Sequence, residues 1–357
     1  MNNFKSTYPA VDYVKFLCAV LIVGNHTNPF IFNFWLDKGF GLVTRLALPY
    51  FFIASSYFLF RKMDFDNPGN FNVRPYIIRL LLVYGIWSLA YLPIKVYSWI
   101  NVGIGINEIF VEYIKDILFL GTYKHLWFMP ALILGIIAVY TALKYCKINE
   151  IFAVSIVMMF LLTMFTTYLP VVEKIFDWNQ SSIINTALRG IESFNIGVTT
   201  NRMGFLYGFP YIALGALFAF QRKKITVNSR IEKWILFFVV SMIGLAIEGL
   251  IATYVVGSRS TIIWLTQVPA TASLFVISLI SKKFIESTLS ILLRKISILI
   301  YFSHFLFVEL FEKLFVQISD KFIFHPILFI SVLIASVVFS LGVIKLSVKC
   351  EKLNLLY

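Results

Sequence analysis

The chain has 357 residues, 59% hydrophobic and only 14% charged, with a formal net charge of +13 and a mean hydropathy of +0.84. Soluble globular domains are about a quarter charged, so a soluble fold is excluded, and repeated apolar runs of about 20 residues predict a polytopic membrane protein. Three scattered cysteines and four histidines without paired ligand spacing predict neither a disulfide framework nor a metal site.

Hydropathy places ten spans, at 11–34, 41–60, 75–98, 124–145, 150–170, 203–221, 231–256, 260–281, 293–316 and 326–348. The expected fold is all-α, one transmembrane domain over 1–357 with no soluble domain. The first apolar run is too long for a cleaved signal peptide, and no small-residue cleavage site follows it. Within it, "DYVKFLCAVLIVGNH" carries Asp12, Lys15 and His26. Lys15 and His26 are three turns plus about 20° apart, so they share a face about 16 Å long, with Asp12 one turn below Lys15. Ionisable groups are costly in hydrocarbon, so this stripe is expected to line the bundle interior.

The second span opens with Arg45 and Pro49 and holds Ser55 and Ser56 deeper. The fourth opens with "YKHLWFMPALI", containing Trp127, and the sixth follows Arg202. Glu248 lies in the seventh span, and "ILIYFSHFLFVEL" places Tyr301 and His304 in the ninth. Two long connections, 99–123 and 171–202, lie between spans, and the second contains "SSIINTALRGIESF", read as an interfacial helix.

Every second loop is basic. Arg61, Lys62 and Arg74 follow the second span, Lys144 and Lys147 the fourth, and Arg222, Lys223 and Lys224 the sixth. Lys282, Lys283, Arg294 and Lys295 follow the eighth, and the tail ends with Lys349 and Lys352. The positive-inside rule therefore predicts both termini in the cytoplasm. The excess positive charge is a topology signal, so nucleic acid is not expected as a partner.

The ordered motifs resemble those of the integral-membrane acyltransferase 3 family. Lys15-x10-His26 stands where the family has arginine, ten residues and histidine. "RLALPYFFIASSYF" is similar to its R-x-x-x-P-[FY]-F-F-x-x-S-G-Y stretch, "HLWFMPALI" to LW[FY]-x-P, and "YFSHF" to a late Y-x-x-H. "YKHLWFMPALI", "TNRMGFL" and "AIEGLI" further resemble the branch containing the membrane halves of vancomycin-resistance serine racemases. Two positions depart from the pattern: Lys15 replaces the arginine, keeping charge without the bidentate fork, and Ser56 replaces a glycine.

The resemblance implies transfer of an acyl group, usually acetyl, from cytoplasmic acyl-CoA to a hydroxyl of a cell-envelope glycan or lipid-linked sugar. Acetyl-CoA is then a co-substrate, with no permanently bound cofactor, and membrane lipids surround the protein. His26 would serve as general base or acyl carrier, with Lys15, Asp12 and His304 as further catalytic candidates. Lys15, Arg61 and Arg74 would meet the anionic donor, and Arg45, Trp127, Arg202, Glu248 and Tyr301 the acceptor. Two alternatives stay open: an L-serine transporter and a non-catalytic partner in polysaccharide export.

Overall fold

The computed structural model describes residues 8–103, 105–164, 204–228, 230–251, 264–281 and 287–357. Among these, α-helix dominates and no strand occurs. The helices are α1 (Pro9–Thr27), α2 (Phe34–Thr44), α3 (Ala47–Phe60), α4 (Arg74–Val102), α5 (Ile106–Lys115), α6 (Phe128–Ala142) and α7 (Ile148–Thr163). They continue with α8 (Gly204–Phe220), α9 (Arg222–Asn228), α10 (Ile231–Ile251), α11 (Gln267–Ile280), α12 (Thr288–Leu314) and α13 (Phe324–Ser347).

Each of the ten predicted spans overlaps a described helix. Five helical stretches are long and apolar enough to cross a membrane: Phe34–Phe60, Arg74–Val102, Ile231–Ile251, Thr288–Leu314 and Phe324–Ser347. Phe128–Ala142, Ile148–Thr163, Gly204–Phe220 and Gln267–Ile280 are shorter apolar helices. The protein is thus an all-α, multi-pass membrane protein. Its surface shows why: along α10, Leu236, Val240, Ile243 and Ile247 form an exposed ridge at helical spacing. Water would make such a ridge a liability, whereas lipid tails are its natural solvent. On α13 the pattern is inverted relative to a soluble helix. Ser336, Ser340 and Ser347 are buried while Ile330, Ile334 and Val338 face outward; small residues suit close helix packing in a bilayer.

The first span is shorter than hydropathy predicts. Proline near its first position starts α1, and Asn28 ends it in the left-handed conformation (φ 48°), its N–H donating to Gly24 O. The apolar residues from Pro29 to Phe32 lie in the turns beyond. The second span begins earlier, at Phe34, and is interrupted at Arg45 and Leu46 between α2 and α3. The "SSIINTALRGIESF" segment and the start of the eighth span lie outside the described residues.

The chain divides into two compact units. The first comprises Met1–Ala54, Lys223–Phe238 and Thr271–Tyr357; the second Ser55–Arg222 and Val239–Ala270. In the first, α1, α12 and α13 pack against one another, and Tyr50 of α3 is bonded to Ser278 of α11 at 2.7 Å. In the second, α6 and α7 pack on α8. Gly135 of α6 admits the Ile212 side chain, since a Cβ there would strike its Cδ1. Ser56, which replaces the family's glycine, is fully buried and donates its hydroxyl to Ile212 O. The larger side chain therefore has both room and an acceptor.

Candidate active site

In the first unit, α1 and α12 run side by side, joined by an ion pair and by a ring stack. Near their N-terminal ends, Arg294 grips Asp12 with two parallel bonds, Nε to Oδ1 at 2.8 Å and Nη2 to Oδ2 at 2.7 Å. Asp12 is 3% exposed. Further along, the His26 and His304 rings stack with centroids 5.4 Å apart and planes 26° from parallel. Both contacts join early to early and late to late, so α1 and α12 are parallel, as the first and ninth spans of an alternating chain should be. Asp12 and His26 are about 21 Å apart along α1, while Arg294 and His304 are about 15 Å apart along α12. The long arginine side chain, leaning toward its helix N-terminus, spans the difference.

His304 is fully buried. Its Nδ1 lies 3.0 Å from Ile300 O and 2.8 Å from Tyr301 O. Carbonyl oxygens only accept, so Nδ1 carries the proton and Nε2 is the basic nitrogen. His26 is half-buried. Phe305 packs on both imidazoles, its centroid 4.5 Å from His26 and 4.9 Å from His304. Tyr301 is buried one turn before His304, with ring centroids 6.4 Å apart. The result is an imidazole pair in an aromatic wall, with an ion pair toward the other end of the same two helices.

Of the predicted residues, the structure therefore groups Asp12, Lys15, His26, Tyr301 and His304 on α1 and α12. Asp12 is engaged by Arg294. Arg45 stands at the break after α2; its neighbour Thr44 donates to Gly41 O at 2.9 Å and lies 3.4 Å from Asn25 Oδ1. Arg61, Arg74, Trp127 and Glu248 belong to the second unit. There, the Arg61 guanidinium sits 4.8 Å from the Phe58 centroid, and Arg74 is the exposed first residue of α4. Trp127 precedes α6 with its ring edge-on to Tyr207 at 6.0 Å. Arg202 lies outside the described residues.

Glu248 has a structural task. Its carboxylate accepts from the N–H of Leu265 at 3.1 Å and of Thr266 at 3.0 Å, and from the Thr266 hydroxyl. These donors open α11, so a carboxylate from α10 serves as its N-terminal cap. Gly244, one turn earlier, lets Thr266 approach. Any acceptor contact must share this carboxylate. Glu248→Ala is expected to lower stability by about 2–4 kcal/mol, from charge-assisted bonds of roughly 1.5–3 kcal/mol each that partly offset desolvation. Thermal unfolding of the detergent-solubilised protein checks it; an unchanged midpoint would remove the capping role.

Sequence reasoning missed Arg294 because the positive-inside rule had already accounted for it as a loop charge. A signal was present: Arg294-x9-His304 nearly repeats Lys15-x10-His26, and the buried Asp12 needed a cation from another span.

The family model for acyltransferase 3, described as "Acyltransferase domain", matches residues 8–344. The chain belongs to this family. It is also 30% identical over 172 residues to an amino-acid racemase of Enterococcus faecalis, covering 47% of this chain and 23% of the relative. It is 29% identical over 250 residues to another amino-acid racemase of that organism (67% and 33%). A serine/alanine racemase of Enterococcus gallinarum is 26% identical over 249 residues (67% and 32%). These matches fit the racemase-containing branch. The matched region spans a third or less of each relative's length. No solved structure matches.

Proposed function

We propose that the protein is an O-acyltransferase of the bacterial cytoplasmic membrane. It takes an acyl group, acetyl by the family's habit, from cytoplasmic acyl-CoA and delivers it to a hydroxyl of an extracytoplasmic cell-envelope carbohydrate. The observation that carries the reading is the stacked His26–His304 pair on two parallel helices, with charged Asp12, Lys15 and Arg294 toward their other end. Membership of an acyltransferase family supports it.

His26 removes the acceptor hydroxyl proton as its oxygen attacks the thioester carbonyl. The C–O bond forms, the C–S bond breaks, and the proton passes to the departing thiolate, giving CoA thiol and ester. In the two-step variant a His26 nitrogen attacks the thioester carbonyl, the C–S bond breaks and CoA leaves as the thiol with the ring's proton; the acceptor hydroxyl or water then takes the acyl group and returns a proton to the ring. His304, its proton fixed on Nδ1, holds Nε2 as a second basic nitrogen beside the reacting ring. Lys15 and Arg294 offer cations to the donor's phosphates; the Nε–Nη2 edge of Arg294 is held by Asp12, so the donor meets the remaining N–H groups of the guanidinium. Arg45 and Tyr301 are assigned to the acceptor.

The relatives are named amino-acid and serine/alanine racemases, which favours an amino acid as the ligand in one second reading, that of a serine or alanine carrier. The two separate in one preparation. Purified protein should release CoA from acetyl-CoA, and Arg294→Lys should raise KM about tenfold, the equivalent of losing one charge-assisted hydrogen bond of about 1.4 kcal/mol. Proteoliposomes should not accumulate L-serine. Serine uptake without CoA release would reverse the assignment.

A further inference from the structure

We propose that His325, at the start of α13, is a positioning residue for His26; the inference rests on the reading of His26 as the reacting base or acyl carrier. His325 Nδ1 lies 2.9 Å from the carbonyl oxygen of Thr27. That oxygen only accepts, so Nδ1 bears the proton and donates it. Thr27 is the last residue of α1 and the immediate chain neighbour of His26. Its carbonyl is among those at a helix C-terminus for which the helix itself has no donor.

Two other bonds close the same turn. The Thr27 hydroxyl donates to Val23 O at 2.9 Å, and the Asn28 N–H to Gly24 O at 2.9 Å. Both begin and end on the α1 segment, so they shape the turn without setting its height against a neighbour. The His325 bond leaves α1 and ties this turn to α13, which packs on both α1 and α12. One turn further along α13, Phe329 flanks Gly24, while Phe40 lies over the same glycine. His325 thus holds the end of α1 against the helix that also packs on the carrier of His304. The consequence is mechanistic: the His26 ring keeps its stacked place beside His304 only while the last turn of α1 is pinned. Displacement of a reacting group by about 1 Å can cost about 100-fold in rate.

The test compares His325→Ala, His325→Gln and His325→Asn in the full-length, detergent-purified protein, with acetyl-CoA as probe and CoA release as readout. The Asn amide nitrogen falls near the position of Nδ1, whereas the Gln amide falls nearer Nε2. Ala and Gln should lower kcat at least about tenfold with KM for acetyl-CoA within about twofold, and Asn should stay within about threefold of wild type. If Ala does not fold, the Asn and Gln pair decides. Equal losses in Asn and Gln, or wild-type kcat in Gln, would overturn the positioning role. A silent wild type would instead sink the acyltransferase reading on which it rests, so the two failures are distinguishable.

Discussion

His26→Ala is expected to fold, to bind acetyl-CoA with little change, and to lose CoA release by about 10²–10⁴-fold, the span that a positioned general base supplies. The reason lies in what surrounds the ring. His26 is stacked on His304 and packs at a tilt against Phe305 but is only half-buried, so an alanine leaves a modest cavity at the edge of the aromatic wall. Stability should therefore fall far less than activity. Steady-state CoA release, read beside a thermal unfolding curve, separates the two. Equal loss of both would make His26 a packing residue. His304 differs, because it is fully buried and bonded to its own helix carbonyls, and its replacement should cost stability as well as rate.

Gly121→Ala should give the largest loss of stability. Gly121 has φ of +79°, which a residue with a Cβ adopts at a cost of about 1–3 kcal/mol. A Cβ there would also fall on the backbone of Leu126 and Trp127. Main chain cannot swing aside as a side chain can, so the total is expected at roughly 3–5 kcal/mol, the range of severe single substitutions. Gly103 is the control for positive φ, with φ of +82° and ψ of 21° in the left-handed region and open space where a Cβ would lie. Gly103→Ala carries the conformational cost alone, about 1–2 kcal/mol. Thermal midpoints of the two variants in one detergent make the comparison, and equal midpoints would mean that the loop before Trp127 simply relaxes.

Most of the fold was legible because hydropathy averages over a whole span. The apolar core of each predicted span coincides with helix, and the errors fall at ends. The first span was carried to residue 34 because Phe30, Ile31 and Phe32 keep the local average apolar. The true stop was written in Asn28 and Pro29, a turn signal that a hydropathy window cannot weigh. The break at Arg45 has the same origin, since one charged residue scarcely lowers the mean of a run this apolar.

The site was legible in part, and the missing part consists of partnerships between distant segments. Helical spacing could align Asp12, Lys15 and His26 on one helix, since that relation is local. That Arg294 lies 282 positions from Asp12 and grips it follows only from packing. Glu248 was noticed as a costly charge in a span, but whether such a charge meets an acceptor or caps a neighbouring helix depends on what lies within 3 Å. His325 was passed over because a lone histidine at the edge of a span carries no spacing signal. Its bond to Thr27 exists only once α13 returns beside α1.

The most direct test of the account is acetyl-CoA turnover by the purified wild-type protein in detergent, followed as free CoA thiol, with His26→Ala beside it. The account predicts slow release by wild type, through water or a co-purified acceptor, and none above background in the variant. A folded wild type that neither binds nor consumes acetyl-CoA or longer acyl-CoAs would contradict it.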